Sequence, residues 1–344
     1  MFHDNNSVKS ICILRLSSIG DITHMIPIIN TLRNQSPKLN ITWIINKTEY
    51  ELVKNMRDIN FIITDKSDLI GSLGKILALR KKMAFDILLH MQVSLRSNIY
   101  SLFIKSNRKI GFSNNYSRNL HSLFQHETIE CEERMHVLDV FFCFLKKISI
   151  QEKLLDWSVN YTTEKTLSQL DRKRYAVFNP FTSNRKMNYR EWDIGNYKSI
   201  AEYLNKRYSV DTIIVGGGSE YEKKMSKDLG KKDYIHNIVG KTNLQNLCKL
   251  LEDCELYIGP DSGTLHIASM LGKSVIGLYA TSNPNRTGPY NNMSFVINKY
   301  PEALKKYKNK SELDAKWGER VRNKDAMALI KIEEVKQKID EILV

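Results

Sequence analysis

The stretch Leu256-Tyr257-Ile258-Gly259-Pro260-Asp261-Ser262-Gly263-Thr264-Leu265-His266-Ile267-Ala268-Ser269-Met270-Leu271 falls into three parts. Residues 256–258 are a short apolar run of the kind that forms a buried strand. Residues 259–263 are small or helix-breaking and make a turn. Residues 264–271 then read as a helix, and 274–278 as the next strand. Strand, turn, helix and strand in this order make a βαβ unit, from which parallel sheets are assembled.

The same alternation runs outward through the chain. Residues 175–178 form a strand ending at Asn179-Pro180, and 211–215 a strand running into Gly216-Gly217-Gly218 before a helix over about 219–229. Thr242 is the expected N-cap of a helix over 243–251. In the first half, Ile11-Cys12-Ile13-Leu14-Arg15-Leu16 reads as a strand, with others at 41–45, 61–64 and 86–89. Ile26, Ile29 and Leu32 lie at helical spacing. Because Pro27 is tolerated only in a first turn, that helix is expected to start near 24–26 and to leave 17–23 as an exposed connection. The most polar region, residues 160–174, is the expected linker. The fold class is therefore α/β. Two doubly wound, Rossmann-like domains are expected, residues 1–165 and 166–344, with strand-end loops facing a shared cleft and the terminal helix placed to pack back on the first domain.

Composition narrows the function. The 344 residues suffice for two cores. No stretch approaches the ~20 apolar residues of a membrane span, and the polar N-terminus lacks a signal-peptide core, so export is not expected. Five scattered cysteines without a C-x-x-C pair point to free thiols in a reducing compartment rather than to disulfides or zinc. A formal charge of +14 points either to an anionic partner (nucleic acid, an acidic membrane surface or a phosphorylated substrate) or simply to a soluble, lysine-rich surface, and charge alone does not decide between them. Nucleic acid is disfavoured, because no basic strand face carries interleaved aromatics. P-loop, G-x-S-x-G and H-E-x-x-H motifs are absent. No Asp-x-Asp occurs, so a divalent-metal sugar-nucleotide site has no sequence support. Gly216-Gly217-Gly218 does not match the G-x-G-x-x-G spacing of a nicotinamide site.

Four strand-end segments carry candidate chemistry. In Arg15-Leu16-Ser17-Ser18-Ile19-Gly20-Asp21, Gly20 allows a tight turn. Asp21 presents a carboxylate that is either a general base or a helix cap, with Ser17 and Ser18 as loop polars. In the stretch that opens this section, the amides of Ser262, Gly263 and Thr264 at a helix start, with Asp261 and His266 beside them, are either a phosphate site or an ordinary Asp/Ser-capped helix with a structural histidine. The third segment, Thr182-Ser183-Asn184-Arg185-Lys186 with Arg190 and Trp192, is either a cation source for a leaving diphosphate or a solvated basic loop. The fourth, Gly217 to Glu222, allows close backbone approach to a nucleotide.

Taken in order, these segments resemble glycosyltransferase family 9, the ADP-heptose:lipopolysaccharide heptosyltransferases. The resemblance rests on the Arg15–Asp21 signature with Pro27, on residues 257–279, on Thr281-Ser282-Asn283-Pro284-Asn285-Arg286-Thr287-Gly288-Pro289-Tyr290, and on a closing helix starting at Ile332-Glu333-Glu334-Val335. It implies a GT-B fold with an acceptor domain and a donor domain, and an inverting reaction without metal or other cofactor. Asp21 is the implied base. Thr182, Ser183, Lys186, Arg190, Gly217, Glu222, Asp261, Ser262, Gly263, Thr264 and His266 are implied on the donor side, and Ser17, Ser18, Gly20, Gln92, Arg96 and Ser97 on the acceptor side. The family's Lys-x-Trp is matched by Arg190-Glu191-Trp192, which leaves Arg190 and Lys186 as rival leaving-group cations. Its Asp-x-Gln-Gly pattern is His90-Met91-Gln92-Val93 here. The implied partners are ADP-heptose and an anionic lipopolysaccharide core, met by a cytoplasmic protein at the inner membrane face. The alternative is another nucleotide sugar, such as an N-acetylhexosamine donor, on a glycan or protein acceptor.

Overall fold

A computed structural model describes residues 8–117, 121–161, 174–183, 185 and 187–344. The chain divides into two compact units, Met1–Asn160 and Tyr161–Val344. The expected linker lies largely outside the described residues.

In the first unit the order is β1 (Ser10–Leu14), α1 (Ile19–Gln35), β2 (Asn40–Asn46), α2 (Lys47–Val53), β3 (Ile59–Thr64), α3 (Leu69–Lys82), β4 (Phe85–His90), α4 (Leu95–Phe103), β5 (Ser106–Gly111), β6 (Glu127–Thr128) and α5 (Val137–Lys147). The six strands lie in the order β3-β2-β1-β4-β5-β6, every pair parallel. The reversal of strand order falls between β1 and β4, so the loops leaving these two strands frame the crevice where such sheets bind ligands. Ile11, Cys12, Ile13 and Leu14 are fully buried, as a central parallel strand covered on both faces requires.

The second unit repeats the plan: β7 (Tyr175–Phe178), α6 (Ile194–Tyr208), β8 (Asp211–Ile214), α7 (Glu220–Met225), β9 (Ile235–Asn237), α8 (Leu244–Glu252), β10 (Leu256–Pro260), α9 (Gly263–Met270), β11 (Ser274–Tyr279), α10 (Pro284–Thr287), β12 (Ile297–Asn298), α11 (Tyr300–Lys308) and α12 (Ile332–Leu343). Strand order is β12-β11-β10-β7-β8-β9, again parallel throughout. Here the reversal lies between β7 and β10. The terminal helix α12 packs on α6 and against β11 of its own unit.

Two expected boundaries are corrected. α1 begins at Ile19 and holds Pro27 in its interior, so residues 19–23 are helix rather than an exposed connection, and Gly20, Ile22 and Thr23 are buried. An interior proline costs ~3 kcal/mol or more. Ile22, Met25, Ile26, Ile28, Ile29 and Leu32 are all completely buried, and each contributes roughly 1.5–3 kcal/mol, so packing outweighs the proline. The helix start of α8 shifts by one residue. Asn243, not Thr242, is its N-cap, accepting from the Asn246 amide at 2.8 Å.

The five cysteines are free thiols, and Cys12, Cys143, Cys248 and Cys254 are buried. Among the described residues, no helix is long and apolar enough to cross a membrane.

Candidate active site

In the first unit the candidate residues gather at the loop between β1 and α1. Its backbone is pinned from neighbouring strand ends. Gln92, on the loop after β4, accepts from the amides of Leu16 and Ser17 through Oε1, both at 3.2 Å. Asn46, at the end of β2, donates to the Leu16 carbonyl at 2.8 Å, and Trp43 Nε1 donates to the Arg15 carbonyl at 3.0 Å. Arg96 Nη2 donates to Asn46 Oδ1 at 3.1 Å, which ties α4 to the same cluster.

Inside this frame Asp21 sits at the third position of α1. Ser18 donates to Asp21 Oδ2 from its amide at 3.0 Å and from its hydroxyl at 2.9 Å. Arg15 Nη2 approaches the same oxygen at 2.5 Å. Asp21 therefore does cap the helix, and it does so through one oxygen. Oδ1 takes none of these three contacts, and the side chain is 28 % exposed. Burial alone would push the carboxyl up. The Arg15 charge and the Ser18 bonds outweigh it and hold Asp21 below the ordinary carboxylate value. The result is an ionised carboxylate with a fixed orientation whose Oδ1 takes no hydrogen bond or ion pair among the described residues.

The acceptor-side residues named from the sequence converge unequally. Ser17, Ser18, Gly20 and Gln92 all belong to the pinned loop or hold it. Ser97 is fully buried, and its hydroxyl donates to the carbonyls of Gln92 and Ser94 at 2.8 Å each, so it fixes the loop after β4. Sequence reasoning missed the roles of Arg15 and Asn46. A cation closing an apolar strand was the available signal for Arg15; nothing local marked Asn46.

In the second unit the candidate residues gather at the loop from β10 into α9. Ser262 is the N-cap of α9, its Oγ accepting from the Leu265 amide at 3.4 Å. The Gly263 and Thr264 amides stand in the first turn, where helical geometry offers them no acceptor, and the helix dipole adds positive potential there. Asp261 is buried. Arg190 Nη1 donates to the Asp261 carbonyl at 2.6 Å and lies 3.2 Å from its Oδ2. Ser282 Oγ donates to Oδ2 at 2.8 Å, and His266 Nε2 lies 3.8 Å from Oδ1, beyond hydrogen-bond reach. Burial opposes ionisation of Asp261, but His266, Arg190 and Ser282 hold its carboxyl well below the usual range.

The loop after β7 supplies the rest. Asn179 donates to Thr264 Oγ1 at 2.9 Å, joining the ends of β7 and β10. Thr182 donates to Glu191 Oε1 from its amide at 2.8 Å. Asn188 donates to Thr182 Oγ1 at 2.9 Å and to the Ser183 carbonyl at 2.7 Å, and accepts from Arg190 Nε at 2.7 Å. Thr182, Ser183, Arg190 and Asp261 are thus one network. Lys186 lies outside the described residues. Glu222 closes the capping box of α7, accepting from the Gly217 amide at 3.1 Å and from the Ser219 amide and hydroxyl at 2.8 Å. Asn188, Glu191 and Ser282 were missed, because their partners are distant in sequence or belong to a loop with no regular pattern.

Two doubly wound parallel units of this topology, each with its candidate loops at the reversal of strand order, are the units of a GT-B fold. The chain belongs to glycosyltransferase family 9 (heptosyltransferase), whose model matches residues 72–316. It is 32 % identical over 334 residues to the lipopolysaccharide core heptosyltransferase OpsX of Haemophilus influenzae, covering 95 % of each chain. A family 9 glycosyltransferase structure from Veillonella parvula superimposes with a TM-score of 0.78 at 19 % identity, covering 97 % of both chains. Heptosyltransferase WaaC of E. coli with ADP gives a TM-score of 0.74 at 17 % identity, covering 96 % of this chain and 99 % of WaaC. The WaaC complex with ADP-2-deoxy-2-fluoro heptose gives 0.71 at 17 % identity, with the same coverage of both chains.

Proposed function

We propose that this chain transfers L-glycero-D-manno-heptose from its ADP-activated form to an anionic inner core of lipopolysaccharide or lipooligosaccharide, with inversion and without a metal ion. The relationship to OpsX supports the acceptor class, and the WaaC complexes support an ADP-linked donor. The sequence holds no Asp-x-Asp, and the family resemblance implies chemistry by protein groups alone.

The observation that carries the reading is the state of Asp21: ionised by Arg15 and held through Oδ2, with Oδ1 taking no hydrogen bond or ion pair among the described residues. Oδ1 takes the proton from the acceptor hydroxyl as that oxygen forms its bond to the anomeric carbon. The bond from that carbon to the diphosphate oxygen breaks on the opposite face, and its electron pair leaves with ADP. The amides of Gly263 and Thr264 and the Arg190 guanidinium stabilise the charge that develops on the diphosphate. Asp261 holds Arg190 in place from the other side. The excess of basic residues suits a phosphorylated, membrane-borne acceptor met at the inner face of the cytoplasmic membrane.

The test has two parts. Calorimetric titration with ADP, ADP-heptose and UDP-sugars, each with and without EDTA, is expected to show chelator-insensitive binding that prefers ADP; a preference for UDP overturns the donor. Asp21→Asn is expected to lower kcat ~10²–10⁴-fold while leaving ADP affinity unchanged, and near-normal turnover in that variant removes Asp21 from the mechanism.

A further inference from the structure

α4 is built inside out. Its buried positions are Ser97, Asn98, Tyr100 and Ser101, whereas Leu95, Ile99 and Leu102 are 65 %, 39 % and 51 % exposed. These three lie at i, i+4 and i+7, on one outward face. The buried serine and asparagine side chains are hydrogen-bonded, Ser101 Oγ donating to the Asn98 carbonyl at 2.7 Å and Asn98 Oδ1 lying 3.0 Å from His121 Nδ1, whereas the Tyr100 hydroxyl has no partner among the described residues. α3 packs beside α4. It sends Ile76 and Leu79 into the core, yet leaves Leu69, Ile70 (88 % exposed) and Leu77 outside, with Met83 exposed just beyond its end. A helix covering a soluble core normally shows the opposite pattern, and exposed apolar side chains gathered on two packed helices mark a contact site.

Charge selects the occupant. Residues 69–83 and 95–105 include Lys75, Arg80, Lys81, Lys82, Arg96 and Lys105, and no aspartate or glutamate. The nearest preceding carboxylate, Asp68, is the N-cap of α3, accepting from the Gly71 amide at 2.8 Å. Arg80 Nη1 donates to the Leu102 carbonyl at 3.4 Å and so joins the two helices. Exposed aliphatic side chains on two helices whose charged residues are all cations match the interface of an anionic bilayer, where apolar side chains enter the headgroup boundary and lysines meet acidic lipid.

We propose that the outward faces of α3 and α4 are the membrane-docking surface of this protein, seated on an anionic bilayer. The proposal rests on the reading above, in which the acceptor is membrane-borne, and adds the face that meets it. Its position fits that role. α4 carries Ser97 on its inner side, bonded to Gln92, and Gln92 holds the Leu16 and Ser17 amides of the Asp21 loop. One helix therefore links the docking surface to the catalytic loop.

The experiment is co-sedimentation of the full chain with phosphatidylethanolamine–phosphatidylglycerol vesicles and with phosphatidylcholine vesicles. It compares wild type with the triple variant Leu95→Gln/Ile99→Gln/Leu102→Gln and the double variant Lys81→Glu/Lys82→Glu. Wild type is expected to bind the anionic vesicles, and each variant to bind them about tenfold more weakly, with unchanged turnover on a delipidated, water-soluble acceptor. Failure of wild type to sediment with anionic vesicles overturns docking and leaves sugar transfer to the soluble acceptor standing. Vesicle binding by wild type, lost in both variants, sustains docking even if no heptose transfer is found. Undiminished binding by the triple variant assigns the contact elsewhere. A wild-type dimer that becomes a monomer in the triple variant, with vesicle binding intact, assigns the face to a second copy and also overturns the proposal.

Discussion

Arg15 holds Asp21 from the side opposite the helix it caps: Nη2 meets Oδ2 at 2.5 Å while Nη1 donates to the Met91 carbonyl at 2.5 Å. The guanidinium also lies over the Phe141 ring, 4.9 Å from its centroid, so it cannot follow a moving carboxylate. The cation is a fixed part of the loop.

Fixation of this kind has a pH signature. The Asp21 pKa in the folded chain lies below its unfolded value, so the pair contributes stability above roughly pH 4 and loses it as pH falls through the folded value. In turnover the same shift keeps the acid limb of kcat/KM below the ordinary carboxylate range. Arg15→Met is expected to move that limb upward and to lower kcat, with Arg15→Lys in between because one ammonium cannot reach both oxygens in the same way. A pH profile of the three proteins checks this; coincident limbs refute the role of Arg15.

Asp261 and Arg190 form a second pair, more deeply buried, with side chains only 10 % and 13 % exposed. Removing one partner of a buried pair leaves the other charged and unsolvated, at a cost of about 3–5 kcal/mol. Arg190→Met is therefore expected to lower Tm by several degrees and to weaken ADP binding. Arg190→Lys is expected to restore more of the stability than of the turnover, since Arg190 also reaches Asn188 through Nε. Scanning calorimetry beside ADP titration separates the two effects.

How far the sequence foretold all this depends on burial. Central strands such as β1, β7 and β10 are short, fully buried apolar runs, and such runs are readable from composition alone. β5, Ser-Asn-Arg-Lys-Ile-Gly, is not: it is mostly polar, and its place is fixed by pairing with β4 and by the Arg108–Glu127 ion pair. α1 was misread because a local rule about Pro27 competed with packing that only the folded sheet supplies. The same holds at the site. Asp21, Asp261 and Ser262 stand in dense motifs at strand ends, whereas Asn46, Asn188 and Ser282 acquire meaning only from partners brought together by the fold.

His90 occupies a position where the family pattern has an acid, and it is fully buried against His121, with ring centroids 4.3 Å apart. Burial, then the neighbouring His121 and Lys109, push His90 well below the ordinary histidine range; burial pushes His121 down to about 4. Below roughly pH 6.5 the unfolded chain therefore binds protons that the folded one does not, and stability falls as pH drops from there. Wild type is expected to lose Tm steadily between neutral pH and pH 5. His121→Asn, which retains polar contacts toward Asn98 and Phe112, is expected to show a shallower slope. Equal slopes exclude the pair as the acid-sensitive element.

Gly218 and Gly240 set how closely the loops after β8 and β9 approach each other. Both have left-handed φ, +84° and +73°, and a Cβ on Gly218 would lie 2.5 Å from the Gly240 Cα. The approach is backbone to backbone, so no side chain can yield. The Gly240 amide also donates to the Gly216 carbonyl at 3.2 Å, which joins the loops after β8 and β9. Gly218→Ala thus combines left-handed strain of roughly 1–2 kcal/mol with a clash that must part those loops. Gly217 differs: its nearest neighbour to an added Cβ is Glu222 Oε2, a side-chain atom, at 3.3 Å. Gly218→Ala is expected to lower Tm and donor affinity together. Gly217→Ala is expected to leave Tm nearly unchanged and to raise the donor KM only if a nucleotide comes against that stretch of backbone. Measuring both quantities for both variants separates a loop that only needs to fold from one that also touches the donor.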